Sequence, residues 1–137
     1  MPRSGFAVLS SDGGSRGNPG PAAIGYLLTA ADGAILAAHS EMIGIAGANV
    51  AEYRALLAGL EHASRLRLGQ VEARCDSRLV VEQVSGHREP VNPRLRALCH
   101  SIHAAAESIA TVIFTWVPAE ANARAHALVA EALGMHG

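Results

Sequence analysis

Apolar and polar positions divide the chain into two parts with different periodicities. In the first part, apolar runs over 5–10, 21–30 and 34–43 predict three strands. The pair Asp32-Gly33, which separates the last two runs, is typical of a tight hairpin turn. We therefore expect an antiparallel meander of three strands.

In the second part, helical and strand-like patterns alternate. Apolar residues spaced three and four apart predict a helix over 50–66. The pattern then predicts, in order, a strand over 71–75, helices over 77–84 and 95–109, a strand over 111–117 and a helix over 121–133. Strands that alternate with helices usually run parallel, because parallel strands need a crossover connection. The prediction is an α/β fold with a mixed five-stranded sheet, three antiparallel strands and then two parallel ones, flanked by helices. The first strand would be central, and residues 1–137 would form a single domain.

Composition and charge narrow the class of protein. Half of the 137 residues are hydrophobic, which is enough for a core, and the formal net charge is −1. A nucleic-acid partner would therefore be held by local contacts rather than by a general positive field. Two cysteines are too few for a disulfide framework, so a reducing, cytoplasmic setting is expected. No stretch is long and apolar enough to span a membrane. We also expect the protein to be a monomer.

Three acidic residues lie where the predicted fold would bring them together. Asp12 follows the first strand, Glu52 lies in the first turn of the long helix, and Asp76 follows the fourth strand. In open α/β sheets, ligands gather at the carboxyl ends of parallel strands. Crowded carboxylates repel one another unless a cation joins them or their pKa rises. An all-oxygen cluster favours Mg²⁺ or Mn²⁺, and two such ions suit phosphodiester hydrolysis.

Each of these acids also has a simpler structural interpretation. Asp12 can make a local turn bond in the glycine-rich loop that follows it. Asn49 and Glu52 have the spacing of a capping box, with Asn49 as the N-cap. Asp76 or Ser77 can cap the short helix. For each acid alone this interpretation is at least as good as a functional one, and the expected convergence of all three favours function.

Four segments resemble type 1 ribonuclease H, in order and at the spacing of that family. They are 12–21 (DGGSRGNPGP), 49–56 (NVAEYRAL), 75–83 (CDSRLVVEQ) and 116–120 (WVPAE). The resemblance implies a ribonuclease H-like fold and a metal-dependent endonuclease that cuts the RNA strand of an RNA·DNA hybrid, leaving 5′-phosphate ends. Some members carry a basic protrusion where 86–96 is short and only modestly basic. The likeness is therefore to the short form, without that protrusion or a hybrid-binding domain.

The resemblance also implies roles for individual residues. Asp12, Glu52 and Asp76 would be ligands of a two-metal site that takes Mg²⁺ or Mn²⁺. The residues that would line the substrate groove are Gly13, Gly14, Ser15, Asn18, Asn49, Ser77 and Arg78. Backbone N–H groups and amides there would contact the 2′-hydroxyl group, which distinguishes RNA from DNA.

The chain departs from the family on the last helix, where His126 occupies the position of a fourth carboxylate. His126 shares helical spacing with Val129, Ala130 and Leu133, which favours packing, whereas its place in the motif favours a catalytic and metal-binding role. We expect the second metal to bind more weakly, with better activity in Mn²⁺ than in Mg²⁺. Glu120 is either an auxiliary group near the product phosphate or a solvated acid at the start of a helix.

Two rival functions stay open. His126 fits a non-cleaving nucleic-acid-binding module of the same fold, although the three intact acids argue against it. The second rival is a related nuclease that acts on double-stranded RNA or RNA–DNA junctions. Because few basic residues are available for phosphates, we expect a weak substrate affinity that declines with salt. Three other conspicuous side chains are expected in the core: Cys75, Cys99 and Trp116.

Overall fold

A computed structural model describes residues 3–134, which contain one five-stranded sheet. The strands are β1 (Arg3–Ser15), β2 (Gly20–Ala30), β3 (Ile35–Ala46), β4 (Leu68–Cys75) and β5 (Thr111–Trp116). Their order across the sheet is β3-β2-β1-β4-β5. The first three strands pair antiparallel, and β4 pairs parallel with both β1 and β5. The predicted mixed sheet with a central first strand is confirmed.

Four α-helices and one 3₁₀ turn accompany the sheet. They are α1 (Ala48–Arg65), α2 (Arg78–Val84), α3 (Pro93–Glu107), the 3₁₀ turn (Ala119–Asn122) and α4 (Ala123–Ala132). Asn92 caps α3, since its side chain accepts the backbone N–H groups of Arg94 and Leu95. Within residues 3–134, no helix has both the length and the apolar composition needed to cross a membrane.

The main core lies between α1 and the central strands. Leu9 of β1 and Tyr53, Leu56 and Leu60 of α1 are all fully buried there. Gly59 allows this close approach, because a Cβ atom at that position would lie 2.5 Å from the Leu9 Cδ1 atom. Burying such large apolar side chains contributes about 1.5–3 kcal/mol each. The helix that carries Glu52 is therefore held firmly against the strand that carries Asp12.

The smaller helix α4 packs on the opposite face of the sheet. Side chains alternate between the two faces along a strand. A Cβ atom at Gly25 of β2 would lie 2.7 Å from the Leu128 Cβ atom and 2.9 Å from the Ala125 carbonyl oxygen. Asp12 pairs directly with Gly25 across the antiparallel ladder. Because Gly25 has no side chain, α4 can lie close beside Asp12.

Several predicted boundaries are wrong, and three of them affect the site. Away from it, β3 continues to Ala46 instead of ending at residue 43, and β4 begins at Leu68 instead of residue 71. The first strand does not end at residue 10 but continues through Asp12 to Ser15, because its pairing with β2 continues as far as Ser15 and Ala22. Helix α1 begins at Ala48 with Gly47 as its N-cap, so the capping-box interpretation with Asn49 as the cap is wrong. The last helix begins at Ala123, after the 3₁₀ turn, rather than at residue 121. In each case a contact with a distant segment decides where the element begins or ends.

Candidate active site

Asp12 lies on β1 just beyond the point where the parallel pairing with β4 stops. The last pair of that ladder is Ser10 with Arg74, whereas pairing with β2 on the other side continues. A gap therefore opens between β1 and β4 next to Asp12. The Asp12 residue is only 6% exposed. A buried carboxylate beside a gap in the sheet is poorly hydrated and available to a ligand.

Gly13 brings Glu52 to the same place. A Cβ atom at Gly13 would lie 2.2 Å from the Ala51 carbonyl carbon and 2.4 Å from the Glu52 backbone nitrogen. The second turn of α1 therefore rests directly on the backbone of β1. Only glycine permits this contact, because no side chain fits into the space. Since Glu52 lies in that second turn, its carboxylate lies beside Asp12.

The cap of the following helix and one hydrogen bond to the Asp76 backbone fix the chain at the end of β4. The Ser77 hydroxyl group caps α2 by accepting the Val80 N–H group at 3.3 Å, as one of the structural interpretations predicted. The Trp116 indole N–H group donates to the Asp76 carbonyl oxygen at 3.1 Å. The Asp76 side chain accepts no hydrogen bond from the residues that the structure describes. Capping therefore uses Ser77 and leaves the Asp76 carboxylate for another role.

The three carboxylates meet in one cluster. One oxygen atom each of Asp12, Glu52 and Asp76 lies within 4.8 Å of the other two. Burial, and then the Asp76 charge, raise the pKa of Asp12 from 3.8 to about 6, against the opposing effect of its hydrogen bond with His126. Burial, and then the charges of Asp12 and Asp76, raise the pKa of Glu52 from 4.5 to about 7, although a hydrogen bond with Ser77 opposes the shift. Asp12 is buried and the other two acids are partly buried, and three such mutually repelling oxygen donors fit a hard divalent cation, which would relieve both penalties.

His126 lies at the edge of this cluster. Its Nδ1 atom is 3.1 Å from the Asp12 Oδ2 atom, so the imidazole N–H group donates to the carboxylate. The His126 side chain is 73% exposed. The interpretation in which His126 packs with Val129 and Leu133 is therefore wrong. The imidazole contacts Asp12 but lies outside the cluster of three acids.

The expected groove residues divide into two sets. The Ser15 hydroxyl group lies between the carbonyl oxygens of Gly17 and Ala46 and ties the end of β1 to the end of β3. The Asn18 amide oxygen lies against Gly47, where a Cβ atom would be 2.6 Å away. Ser15 and Asn18 thus support the start of α1. Of the expected groove residues near the acids, Asn49 and Arg78 present exposed side chains.

Glu120 lies on the 3₁₀ turn and is exposed. It is not part of the cluster of three acids. Asn122 follows in the same turn and is fully buried, and its amide group donates to the Ser11 carbonyl oxygen at 2.9 Å. Asn122 therefore anchors the start of α4 to β1, which places His126. Asn122 could not be predicted as a buried anchor, because an asparagine in a polar segment gives no sign that it will be buried.

Trp116 is also placed differently from the prediction. Cys75 and Cys99 are buried as expected, but Trp116 is 36% exposed. The Arg78 guanidinium group lies over the indole ring, with its central carbon 3.9 Å from the ring centroid. Trp116 is the last residue of an edge strand, so one face of its ring is not covered by the sheet. The stacked pair of Trp116 and Arg78 therefore lies beside Asp76 and forms the rim of the acidic cluster on that side.

Comparisons with known proteins agree with this geometry. A family model described as "Reverse transcriptase-like" matches residues 10–132. Ribonuclease HI of Halobacterium salinarum is 43% identical over 126 residues, which cover 89% of this chain and 61% of that protein. The crystal structure of RNase H1 from the same archaeon superposes with a TM-score of 0.92 at 40% identity, covering 96% of this chain and 100% of the other. LC11-RNase H1, solved in complex with an RNA/DNA hybrid, has a TM-score of 0.87 at 38% identity and covers 93% of this chain and 96% of its own.

One curated relative is considerably longer. "Bifunctional protein Rv2228c" of Mycobacterium tuberculosis is 42% identical over 127 residues, which cover 92% of this chain but 35% of that protein. The chain thus spans about a third of the length of that relative. The match with the archaeal RNase H1, in contrast, extends over the full length of the solved chain. Because these matches cover nearly the whole chain and acids stand at the three positions that the motifs predicted, this chain belongs to the type 1 ribonuclease H family.

Proposed function

We propose that this chain is an endonuclease that hydrolyses the RNA strand of RNA·DNA hybrids with the help of divalent metal ions. The observation that carries the proposal is the cluster of Asp12, Glu52 and Asp76, whose oxygen atoms lie within 4.8 Å of one another. Its position beside a gap in the sheet leaves the acids accessible to a phosphodiester. The solved complex of LC11-RNase H1 with an RNA/DNA hybrid supports the choice of substrate.

Asp12, Glu52 and Asp76 would hold the metal, because all three offer hard oxygen donors. Two bound divalent ions would activate water and stabilise the leaving oxygen, which leaves a 5′-phosphate on the product. The chain itself orients these donors: Gly13 sets the distance between β1 and α1, and Ser77 keeps the Asp76 backbone in place. His126 donates to Asp12 and so fixes the direction of that carboxylate.

The choice between Mg²⁺ and Mn²⁺ follows from His126 in this proposal. Imidazole nitrogen is a poorer ligand for Mg²⁺ than carboxylate oxygen is. We therefore expect the second metal to bind more weakly than the first and Mn²⁺ to support activity better than Mg²⁺. Glu120, exposed on the 3₁₀ turn, is proposed as an auxiliary group on the product side.

Recognition of the RNA strand would use the groove on both sides of the acids. Asn49 and Arg78 present exposed polar side chains there, and the partly exposed Gly14 places no side chain over the β1 backbone. Gly13 is buried against α1 and would contribute to the groove by holding Glu52 in place. Amide groups at such a surface can contact a 2′-hydroxyl, which DNA lacks. The local charge of Arg78 would compensate for the overall net charge of −1.

His126 also favours a second candidate, a module of the same fold that binds nucleic acid without cutting it. A site that lost its fourth carboxylate would retain the groove but lose efficient hydrolysis. The raised pKa values of Asp12 and Glu52 favour the enzyme, because they mark a cluster that would be strongly stabilised by cations. A nuclease that acts on double-stranded RNA or RNA–DNA junctions would use the same acids and differ in the groove.

One experiment separates these functions. The protein is incubated with end-labelled RNA·DNA hybrid, double-stranded RNA, an RNA–DNA junction or double-stranded DNA, each in Mg²⁺, Mn²⁺ or EDTA. Cleavage of the RNA strand of the hybrid only with metal is the expected result. Asp12→Asn should lower the rate about a thousandfold or more, since metal polarisation contributes several kcal/mol. Binding of the hybrid without any cleavage would establish the non-cleaving module, and equal cleavage by Asp12→Asn would contradict the assignment of the site.

A further inference from the structure

Trp116 makes two contacts that converge on the rim of the acidic cluster. Its indole N–H group donates to the Asp76 carbonyl oxygen at 3.1 Å. Its ring lies beneath the Arg78 guanidinium group, whose central carbon is 3.9 Å from the ring centroid. Arg78 follows Asp76 by two residues and begins α2. One aromatic side chain therefore contacts both the backbone of an acid and the cation next to it.

Arg78 has no carboxylate partner among residues 3–134. Three other arginines do: Arg74 pairs with Glu72 at 2.9 Å, Arg88 with Glu82 at 3.5 Å and Arg96 with Glu89 at 3.9 Å. Arg78 also donates no hydrogen bond within the described part of the chain. A guanidinium group stacked on an aromatic face keeps the N–H groups along its edge available. The Arg78 edge is thus a fixed set of donors that the fold itself does not use.

We infer that Trp116 is a positioning residue, which holds the Arg78 guanidinium group in place to bind a phosphate of the RNA strand next to the cleaved bond. This inference rests on the proposed function. The strand is identified by proximity: the phosphates nearest Asp76 belong to the strand that the acids cut, and Arg78 is two residues away. A guanidinium group binds a phosphate through two parallel N–H donors in a fixed geometry. A lysine ammonium group has the same charge but not that geometry.

The stack has a specific physical purpose in this arrangement. An exposed arginine that rotates freely must lose side-chain entropy when it binds. The indole ring removes part of that freedom beforehand and adds a cation–π attraction. The indole N–H group of the same ring donates to the Asp76 carbonyl oxygen, so Trp116 connects Arg78 with the Asp76 backbone. Phosphate binding and the position of Asp76 are therefore linked through Trp116.

The test measures binding of a fluorescein-labelled RNA·DNA hybrid in EDTA at several KCl concentrations, so that cleavage does not interfere. Arg78→Ala should weaken binding about tenfold, the equivalent of one hydrogen-bonded charge contact. It should also reduce the slope of log Kd against log salt by about one phosphate contact. Trp116→Leu should weaken binding about threefold in the parent and not at all in the Arg78→Ala background. Trp116→Phe, which keeps an aromatic face, should recover part of the loss.

Two matched variants serve as controls. Arg65→Ala removes an exposed arginine at the other end of α1, about 20 Å along the helix from Glu52. Phe6→Leu removes an exposed aromatic side chain from β1. Neither should change the affinity for the hybrid or its salt slope by more than the error of measurement. Thermal unfolding of all variants establishes that each is folded.

Trp116 also gives a direct optical signal, because it is the only tryptophan in the chain. Arg78→Ala should change the emission of the free protein, and addition of hybrid should change the emission of the parent but not of Arg78→Ala. Independent, additive losses from Trp116→Leu and Arg78→Ala, or losses no larger than those of the controls, would overturn the inference. A parent that binds the hybrid but never cleaves it would contradict the proposed function instead, while the binding and emission data still judge the role of Trp116.

Discussion

Gly13 lies directly against the backbone of Ala51, so close that a Cβ atom on Gly13 would fall 2.2 Å from the Ala51 carbonyl carbon. The two residues are far apart in the chain, and their contact sets the separation of β1 and α1. Asp12 precedes Gly13 and Glu52 follows Ala51. The spacing of two of the three acids therefore depends on the absence of a side chain at one position between them.

Replacing this glycine should damage stability and activity together. In Gly13→Ala the new methyl group meets backbone atoms, which cannot rotate away, so we expect a loss of about 1–3 kcal/mol in the free energy of unfolding. Cleavage should fall at least about a hundredfold, because the acids are displaced from each other. Urea unfolding and hybrid cleavage measure the two effects. Gly14→Ala is the matched control for the stability measurement, since its Cβ atom would meet only the Val129 side chain, at 3.2 Å. Full activity of Gly13→Ala would refute this account of the site.

The metal-free protein should become less stable as the pH rises from about 4 to about 7. The pKa values of Asp12 and Glu52 are raised to about 6 and about 7, so their stabilising contribution is complete below about pH 4 and is lost as the pH rises through those values. Thermal unfolding in EDTA across this range measures the effect. Asp12→Asn should flatten the profile, whereas Glu107→Gln, at an exposed acid on α3, should not.

Adding the metal should restore the stability that the metal-free protein loses as the pH rises. Mg²⁺ or Mn²⁺ should raise the midpoint of thermal unfolding more at pH 8 than at pH 5, because protonated carboxyl groups bind cations poorly. In Asp12→Asn the increase should be much smaller. An increase of equal size in the parent and in this variant would show that the ions bind elsewhere.

Restoring a carboxylate at the fourth position should change the metal requirement. In His126→Asp the group next to Asp12 becomes a hard oxygen donor, so the Mg²⁺ concentration for half-maximal cleavage should fall, by about tenfold. The advantage of Mn²⁺ over Mg²⁺ should shrink in parallel. Titration of each metal at fixed hybrid concentration measures both quantities. His100→Asp, on the exposed surface of α3, is the control, and an unchanged Mg²⁺ requirement in His126→Asp would remove the metal-related role of this position.

Binding of the hybrid should weaken as salt increases, but with a shallow slope. Several arginines are already engaged within the protein, among them Arg74, Arg88 and Arg16, whose guanidinium group donates to the Leu133 carbonyl oxygen. We expect about two to four phosphate contacts and thus a slope of about −2 to −4 in log affinity against log salt. Fluorescence anisotropy of the labelled hybrid, at KCl concentrations from roughly 50 to roughly 500 mM, measures this slope. An affinity independent of salt would contradict a groove that binds phosphates.

The positions of the acids could be predicted because their signals are local. Asp12 and Asp76 each follow an apolar run, and Glu52 lies near the start of an amphipathic helix. Together with the strand order, these local features placed all three in one cluster, which the structure contains. The capping-box interpretation of Asn49 was wrong, because the loop that follows β3 lets α1 begin earlier, at Ala48.

The sequence by itself determined the order of the elements, the mixed sheet and the three acids, because apolar periodicity and turn residues act over a few neighbouring positions. Only the tertiary structure decided that β1 continues through Asp12, that Gly13 and Gly25 lie against helices, and that Trp116 stands at the rim beneath Arg78. These features depend on which distant surfaces meet. A strand of weak propensity persists where its partner continues to pair with it, and a glycine or a tryptophan acquires its role from the backbone or the cation that packs against it.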